Sequence, residues 1–264
     1  VLWKPSDNAI LSNYLFYQIM LEAGLPQGVL NFCPMEPENF FNSVNNQKDL
    51  GGLLFTGSSH VFDDIYYGIG RNIQKRANYT RIIGETGGKN FHFVDSTYGD
   101  SLKYLADQTV QSAFGYSGQK CSACSILYLP EEYLETFTGI LKNSIYSFMS
   151  KSENYGLINR KSFKRVTRNI EEFKSESMDI LLDSHYTDQG SYKVSPFVVS
   201  HRDHNHRIFN EEFFGPILAI YPYNTSEKYN TLELCSESNN YALTGAVFSK
   251  SDKFIMEAHE LLSE

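Results

Sequence analysis

The sequence predicts an α/β fold in two lobes, and three observations carry that prediction. Apolar residues recur at helical spacing over residues 11–23, short apolar runs at 29–33 and 53–55 follow it, and a second round of strand, helix and strand begins after residue 90. Alternation of this kind implies parallel strands joined by crossover helices, with ligands held at the carboxyl ends of the strands.

Taken in order, the helix over 11–23 has Ser6 and Asp7 before it as capping residues and Gly24 after it as a stop. Strands follow at 29–33 and 53–55, the second ending in the turn Thr56-Gly57-Ser58-Ser59 and leading to a helix over 61–77. Ile82-Ile83 then runs into Gly84-Glu85-Thr86-Gly87-Gly88-Lys89-Asn90, a glycine-rich stretch where we place a hinge. The expected domains are therefore 1–84 and 85–264. Beyond the hinge the pattern predicts a strand at 91–94, a helix at 101–114, a strand at 125–129 and a long helix at 131–149 opened by Pro130. A polar loop is expected at 150–162, a helix at 164–174, and strands at 196–199, 216–221 and 245–248.

Composition narrows the function classes. The 264 residues carry a net charge of -8 with no block of Lys and Arg, which disfavours a nucleic-acid groove and favours small-molecule chemistry. No apolar run reaches the roughly 18 residues of a membrane-spanning helix. The opening Val1-Leu2-Trp3-Lys4-Pro5 reads as the middle of a domain, from which we expect a truncated amino terminus. Cys33, Cys121, Cys124 and Cys235 are too few and scattered for a disulfide scaffold, which fits a reducing compartment.

Four segments have residue types that suit chemistry. Cys121 lies in Gly118-Gln119-Lys120-Cys121-Ser122-Ala123-Cys124, among small neighbours, with Lys120 beside it to favour the thiolate. The Cys121-x-x-Cys124 spacing also invites a zinc site or a redox pair. Zinc needs about four ligands and no second Cys or Cys/His pair is suitably spaced; redox pairs usually open a helix, whereas this one precedes a strand. No metal is expected. Glu85, flanked by glycines, suits water activation, against the bland reading of an exposed hinge carboxylate. Gly57-Ser58, ending a strand and opening a helix, suits a phosphate, although a simple helix cap has the same signature. Glu211-Glu212-Phe213-Phe214-Gly215-Pro216 by itself reads as a helix end turning into a strand.

Together and in this order, these segments resemble the aldehyde dehydrogenase superfamily. The branch they resemble most is that of the delta-1-pyrroline-5-carboxylate (glutamate semialdehyde) dehydrogenases, on Lys4-Pro5-Ser6-Asp7, Gly87 to Phe93 (GGKNFHF), Gly118 to Cys124 (GQKCSAC) and Leu243 to Ser249 (LTGAVFS). The resemblance implies part of a Rossmann-like NAD-binding domain followed by an α/β catalytic domain whose carboxyl-terminal end is missing. It implies Cys121 as nucleophile and Glu85 as general base. NAD would be held by Lys4 and Ser6 near the adenine ribose, Gly57 and Ser58 at the pyrophosphate, Glu212 at the nicotinamide ribose and Phe214 against the nicotinamide. Lys120 and Ser122 would meet the substrate. The implied reaction oxidises glutamate γ-semialdehyde to glutamate in proline catabolism, in the mitochondrial matrix, with a homo-oligomer for the full-length family. Two departures stand out. The family's second oxyanion donor, an Asn, would precede Val1, and Thr86 stands where the closest branch has Cys. The alternative is a shortened homologue that binds or assembles without turnover.

Overall fold

The computed structural model describes residues 1–151, 156–237 and 243–263. The chain divides into two compact units, Val1–Thr86 and Gly87–Glu264.

The first unit contains β1 (Leu2–Trp3), α1 (Ile10–Glu22), β2 (Asn31–Phe32), α2 (Pro37–Asn45), β3 (Gly52–Thr56), α3 (Ser59–Arg71) and β4 (Arg81–Glu85). β1 pairs parallel with β2 and β3 parallel with β4. The apolar run at 29–33 is thus a strand only at Asn31–Phe32, and its partner β1 is too short to leave a periodic signature. Neither Ser6 nor Asp7 caps α1. A 3-10 turn over Asp7–Ala9 intervenes, and Ala9, at the N-cap, has no side-chain bond to offer. The helix expected over 61–77 stops at Arg71, followed by a 3-10 turn at Ile73–Lys75. α1 buries none of its residues, and Leu11, Leu15, Phe16 and Ile19 are exposed.

The second unit contains β5 (Asn90–Val94), α4 (Leu102–Phe114), β6 (Cys124–Pro130), α5 (Leu134–Lys151), α6 (Arg160–Ser175), β7 (Asp179–Leu182), β8 (Tyr186–Thr187), β9 (Lys193–Val194), β10 (Phe197–Ser200), α7 (Arg207–Asn210), β11 (Ile217–Tyr223), α8 (Lys228–Glu237), β12 (Gly245–Phe248) and α9 (Asp252–Leu261). Six strands form one sheet in the order β12-β5-β6-β11-β10-β7, parallel except for β7, which runs antiparallel to β10 at the edge. Alternate side chains of each strand enter different cores. Ile126, Tyr128, Val199 and Ala219 pack with Phe163, Val166 and Phe173 of α6, while Leu127, Leu129, Val198 and Leu218 pack with Leu105 of α4 and Phe137 and Leu141 of α5. Burial on both faces is why the central strands read as near-continuous apolar runs rather than alternating ones.

Pro130 is the last residue of β6 and does not open the next helix; a 3-10 turn at Glu131–Tyr133 leads into α5. Of the loop expected at 150–162, residues 152–155 lie outside the described residues, and from Arg160 the chain is helical, capped by Asn159, whose side chain accepts from the Ser162 N–H at 2.8 Å.

Candidate active site

Each unit brings together its own set of sequence-selected residues. In the first, β3 and β4 end side by side, with Thr56 opposite Glu85 in the register. Glu85 is therefore the final residue of a strand and not part of a free glycine turn. It is exposed, and its carbonyl accepts from the Gly57 N–H at 3.1 Å. A Cβ on Gly57 would meet the tip of the Phe55 ring at 2.5 Å. Ser58 then stands extended at the N-cap of α3 with no side-chain cap bond, and the first turn of α3 carries no acidic residue. The open N–H groups and positive end of the helix dipole favour an anion here. At the start of the unit, Lys4 donates to Asp7 at 3.1 Å and to the Pro5 carbonyl. Its ammonium is thus partly neutralised within its own turn. Ser6 is exposed, at the head of the 3-10 turn before α1.

In the second unit, α4 ends at Phe114 and the chain turns sharply through Tyr116, Ser117 and Gly118, with φ of 54°, 57° and 69°. Three successive left-handed residues reverse the chain, and Cys121 follows on the short turn before β6. Cys121 and Ser122 are exposed, so the thiol is open to a reactant. The Lys120 Nζ lies 5.3 Å from the centre of the Tyr116 ring. Cys124, by contrast, is buried within β6, and burial pushes its thiol up to about 12. A thiol that stays protonated is a poor partner for disulfide exchange, which argues against a redox pair. Among the described residues, no group of three His, Cys, Asp or Glu is arranged to hold a metal ion.

The Glu211–Pro216 segment lies against this turn. A Cβ on Gly118 would fall 2.3 Å from the Gly215 carbonyl oxygen, so the two backbones are in direct contact. The Glu212 carboxylate accepts from the Gly88 N–H at 3.3 Å, and a Cβ on Gly87 would fall 1.9 Å from its oxygen. The Gly87-Gly88 pair is thus the opening through which the carboxylate reaches the backbone. Burial raises the Glu212 carboxyl above its usual range, opposed by the Gly88 N–H, Lys89 and Arg165. Phe214 is 38% exposed with φ 45°, a conformation held by Arg165, which donates to the carbonyls of Phe213 and Phe214. Gly88, Lys120, Ala123, Glu212 and Phe214 line one shallow crevice.

The sequence assigns no role to Lys89, Asn90 or Arg165. Lys89 is 3% exposed, sits 4.8 Å from the centre of the Phe213 ring, and is held down to about 7 by burial. A lysine between two glycines and a strand carries no burial signal of its own. Only the sheet contacts reveal it.

A half-buried carboxylate beside a glycine pair and an exposed thiol after a left-handed turn thus sit on an α/β protein with a mainly parallel sheet. The chain belongs to the aldehyde dehydrogenase family, whose model matches residues 1–263. It is 38% identical over 270 residues to the mitochondrial delta-1-pyrroline-5-carboxylate dehydrogenase of Bos taurus and 37% identical to that of Homo sapiens. In each case the match covers 99% of this chain and 48% of the relative, so the chain spans about half the length of these relatives. Among solved structures, it matches a single-residue mutant of the Thermus thermophilus 1-pyrroline-5-carboxylate dehydrogenase with TM-score 0.90 and 28% identity, over 99% of this chain and 51% of that one. The Mycobacterium tuberculosis Delta-pyrroline-5-carboxylate dehydrogenase bound with NAD matches with TM-score 0.86 and 28% identity, over 100% of this chain and 49% of that one.

Proposed function

We propose that this chain takes part in the NAD-dependent oxidation of glutamate γ-semialdehyde to glutamate, with Cys121 as nucleophile, Glu85 as general base and the mitochondrial matrix as the compartment. The observation that carries the reading is the exposed Cys121 on a turn packed, through Gly118 and Gly215, against the segment that carries Glu212 and Phe214. The family membership and the names of its relatives supply the substrate class.

NAD fits the residues present on two observations. The space beside Gly87 is kept for the Glu212 carboxylate, an acceptor suited to ribose hydroxyls, and Ser58 leaves the first N–H groups of α3 free for a phosphate. Lys4 and Ser6 would lie toward the adenosine half, Gly57 and Ser58 at the pyrophosphate, Glu212 at the second ribose, and Phe214 against the nicotinamide. When bound, NAD supplies the hydride acceptor.

The chain's own residues do the rest. The Cys121 thiolate adds to the aldehyde carbon, forming a carbon–sulfur bond, and the carbonyl oxygen takes the negative charge. Backbone N–H groups of the Cys121 turn stabilise that oxyanion. Loss of hydride from the same carbon leaves a thioester on Cys121. Glu85 takes a proton from a water as it attacks the thioester, the carbon–sulfur bond breaks, and the thiolate and a carboxylic acid are released. Lys120 and Ser122 face the substrate's own carboxylate in this reading.

The test is a titration with NADH followed by fluorescence, then NAD reduction with glutamate semialdehyde and with propanal. Binding, preference for glutamate semialdehyde and loss of turnover in Cys121→Ala are expected. Preference for propanal overturns the substrate, and absence of NADH binding overturns the cofactor. A second reading, a homologue that assembles without turnover, draws on the exposed Leu11, Leu15, Phe16 and Ile19 of α1. Binding of NADH without reduction of NAD, together with self-association in sedimentation, would favour it.

A further inference from the structure

We propose that Asn90 is the positioning residue of the nucleophile turn, its carboxamide fixing the carbonyls of Cys121 and Ala123 while tying that turn to Thr244. The proposal deepens the reading of Cys121 as nucleophile and rests on it. Asn90 opens β5 and is 2% exposed. Its Nδ2 donates to the Cys121 carbonyl at 2.7 Å and to the Ala123 carbonyl at 2.9 Å, and its Oδ1 accepts from the Thr244 N–H at 2.9 Å. Two carbonyls can be met only by the amino end and an N–H only by the oxygen, so the orientation of the amide is unambiguous.

The sheet explains why a side chain is needed here. Asn90 pairs with Cys124, but Phe91 pairs with Ile126, so the β5–β6 ladder slips by one residue at this point. Ahead of that slip the carbonyls of Cys121 and Ala123 have no strand partner, and the Asn90 side chain takes the place of a ladder. Without it, both carbonyls would lose the donor that holds them. Thr244 Oγ1 adds a bond to the Ser122 carbonyl at 3.4 Å, so three consecutive carbonyls of the turn are held.

Fixing the carbonyls also fixes the amides. Carbonyl and N–H point in opposite directions across a trans peptide, so a Cys121 carbonyl directed at buried Asn90 turns the Ser122 N–H away from it. Among the described residues neither the Cys121 nor the Ser122 N–H has an acceptor. Asn90 thereby keeps the Ser122 N–H as an unengaged donor beside the exposed thiol, of the kind an oxyanion requires.

The test compares wild type, Asn90→Asp and Asn90→Ser. Backbone amide exchange is followed at Ala123 and Cys124, and iodoacetamide alkylation of Cys121 is followed against pH with Cys33 as internal reference. The carboxylate of Asn90→Asp faces two carbonyl oxygens, so exchange at both amides should rise at least tenfold and the alkylation profile of Cys121 should shift, with exchange in Leu127–Leu129 unchanged. Asn90→Ser keeps one donor and should fall between. Unchanged exchange and a superimposable alkylation profile in both variants overturn the proposal. If neither variant folds, the wild type still decides: the Asn90 carboxamide protons should exchange slowly in its spectrum, and rapid exchange overturns the proposal. Should wild-type Cys121 alkylate no faster than Cys33, the nucleophile reading is what fails, and the exchange comparison still judges Asn90.

Discussion

Gly118 lies so close to Gly215 that a Cβ on the first would meet the carbonyl oxygen of the second at 2.3 Å. This contact joins the turn that carries Cys121 to the segment that carries Glu212 and Phe214, and both partners are backbone. Neither can move aside without displacing its whole turn. Because φ at Gly118 is also 69°, Gly118→Ala should destabilise by about 3 kcal/mol or more. Gly139, inside α5 with nothing within 4 Å of a Cβ, provides the contrast: Gly139→Ala should stabilise by roughly 0.5–1 kcal/mol. Urea unfolding of the two variants checks both signs.

Glu212→Gln keeps the shape of the side chain but removes its charge. A hydrogen bond from a ribose hydroxyl to a charged acceptor is worth about 1.5–3 kcal/mol, so NADH binding should weaken by roughly one to two orders of magnitude. Fluorescence titration reads this directly, and an unchanged Kd would remove Glu212 from the cofactor site.

Lys89 carries a pH dependence with a defined sign. Burial holds it at about 7 in the folded chain against 10.5 when unfolded, so between these values the unfolded state binds the extra proton. Its contribution is unfavourable at pH 7 and vanishes as pH rises through 10.5. Lys89→Met should therefore flatten the rise in stability from pH 7.5 to 10, measured by denaturant unfolding at fixed ionic strength. A variant curve parallel to wild type contradicts the assignment.

His92 works in the acid range. It is 7% exposed, its Nδ1 lies 2.9 Å from Thr109 Oγ1, and burial lowers it to about 4 from 6.5. The lowered value makes its contribution complete above pH 6.5 and lost as pH falls toward 4. At about 1.4 kcal/mol per unit, the loss is about 3 kcal/mol. His204, bonded to the Tyr128 hydroxyl at 2.8 Å and also lowered to about 4, adds to it in the same window. His92→Gln should reduce the fall in thermal midpoint between pH 6.5 and 4.5; an identical fall would assign the acid sensitivity elsewhere.

Much of the second unit is legible in the chain. The run at 245–248 is β12 residue for residue, and the runs at 91–94, 125–129 and 216–221 fall within β5, β6 and β11 or differ at an end. β5, β6 and β11 are buried on both faces, so their apolar residues are contiguous and visible without knowledge of neighbours; β12, an edge strand, is visible because its four residues are themselves small or apolar. Helices α2 and α9 escape because two to three turns offer few inward positions: Val44 in one, Phe254 and Ala258 in the other. β7 escapes because it is a half-exposed edge strand whose identity depends on pairing with β10.

The sequence by itself determined which groups are present: a cysteine among small residues, a carboxylate before paired glycines, and apolar runs spaced for a parallel sheet. Those signals are local, since composition and period act over a few residues. Only the tertiary structure decided that Cys124 is a buried, protonated thiol, that Glu85 ends a strand, and that Asn90 and Thr244, far apart in the chain, grip the turn bearing Cys121. Burial and hydrogen-bond partnership are set by which strands meet, and no window of neighbouring residues contains that information.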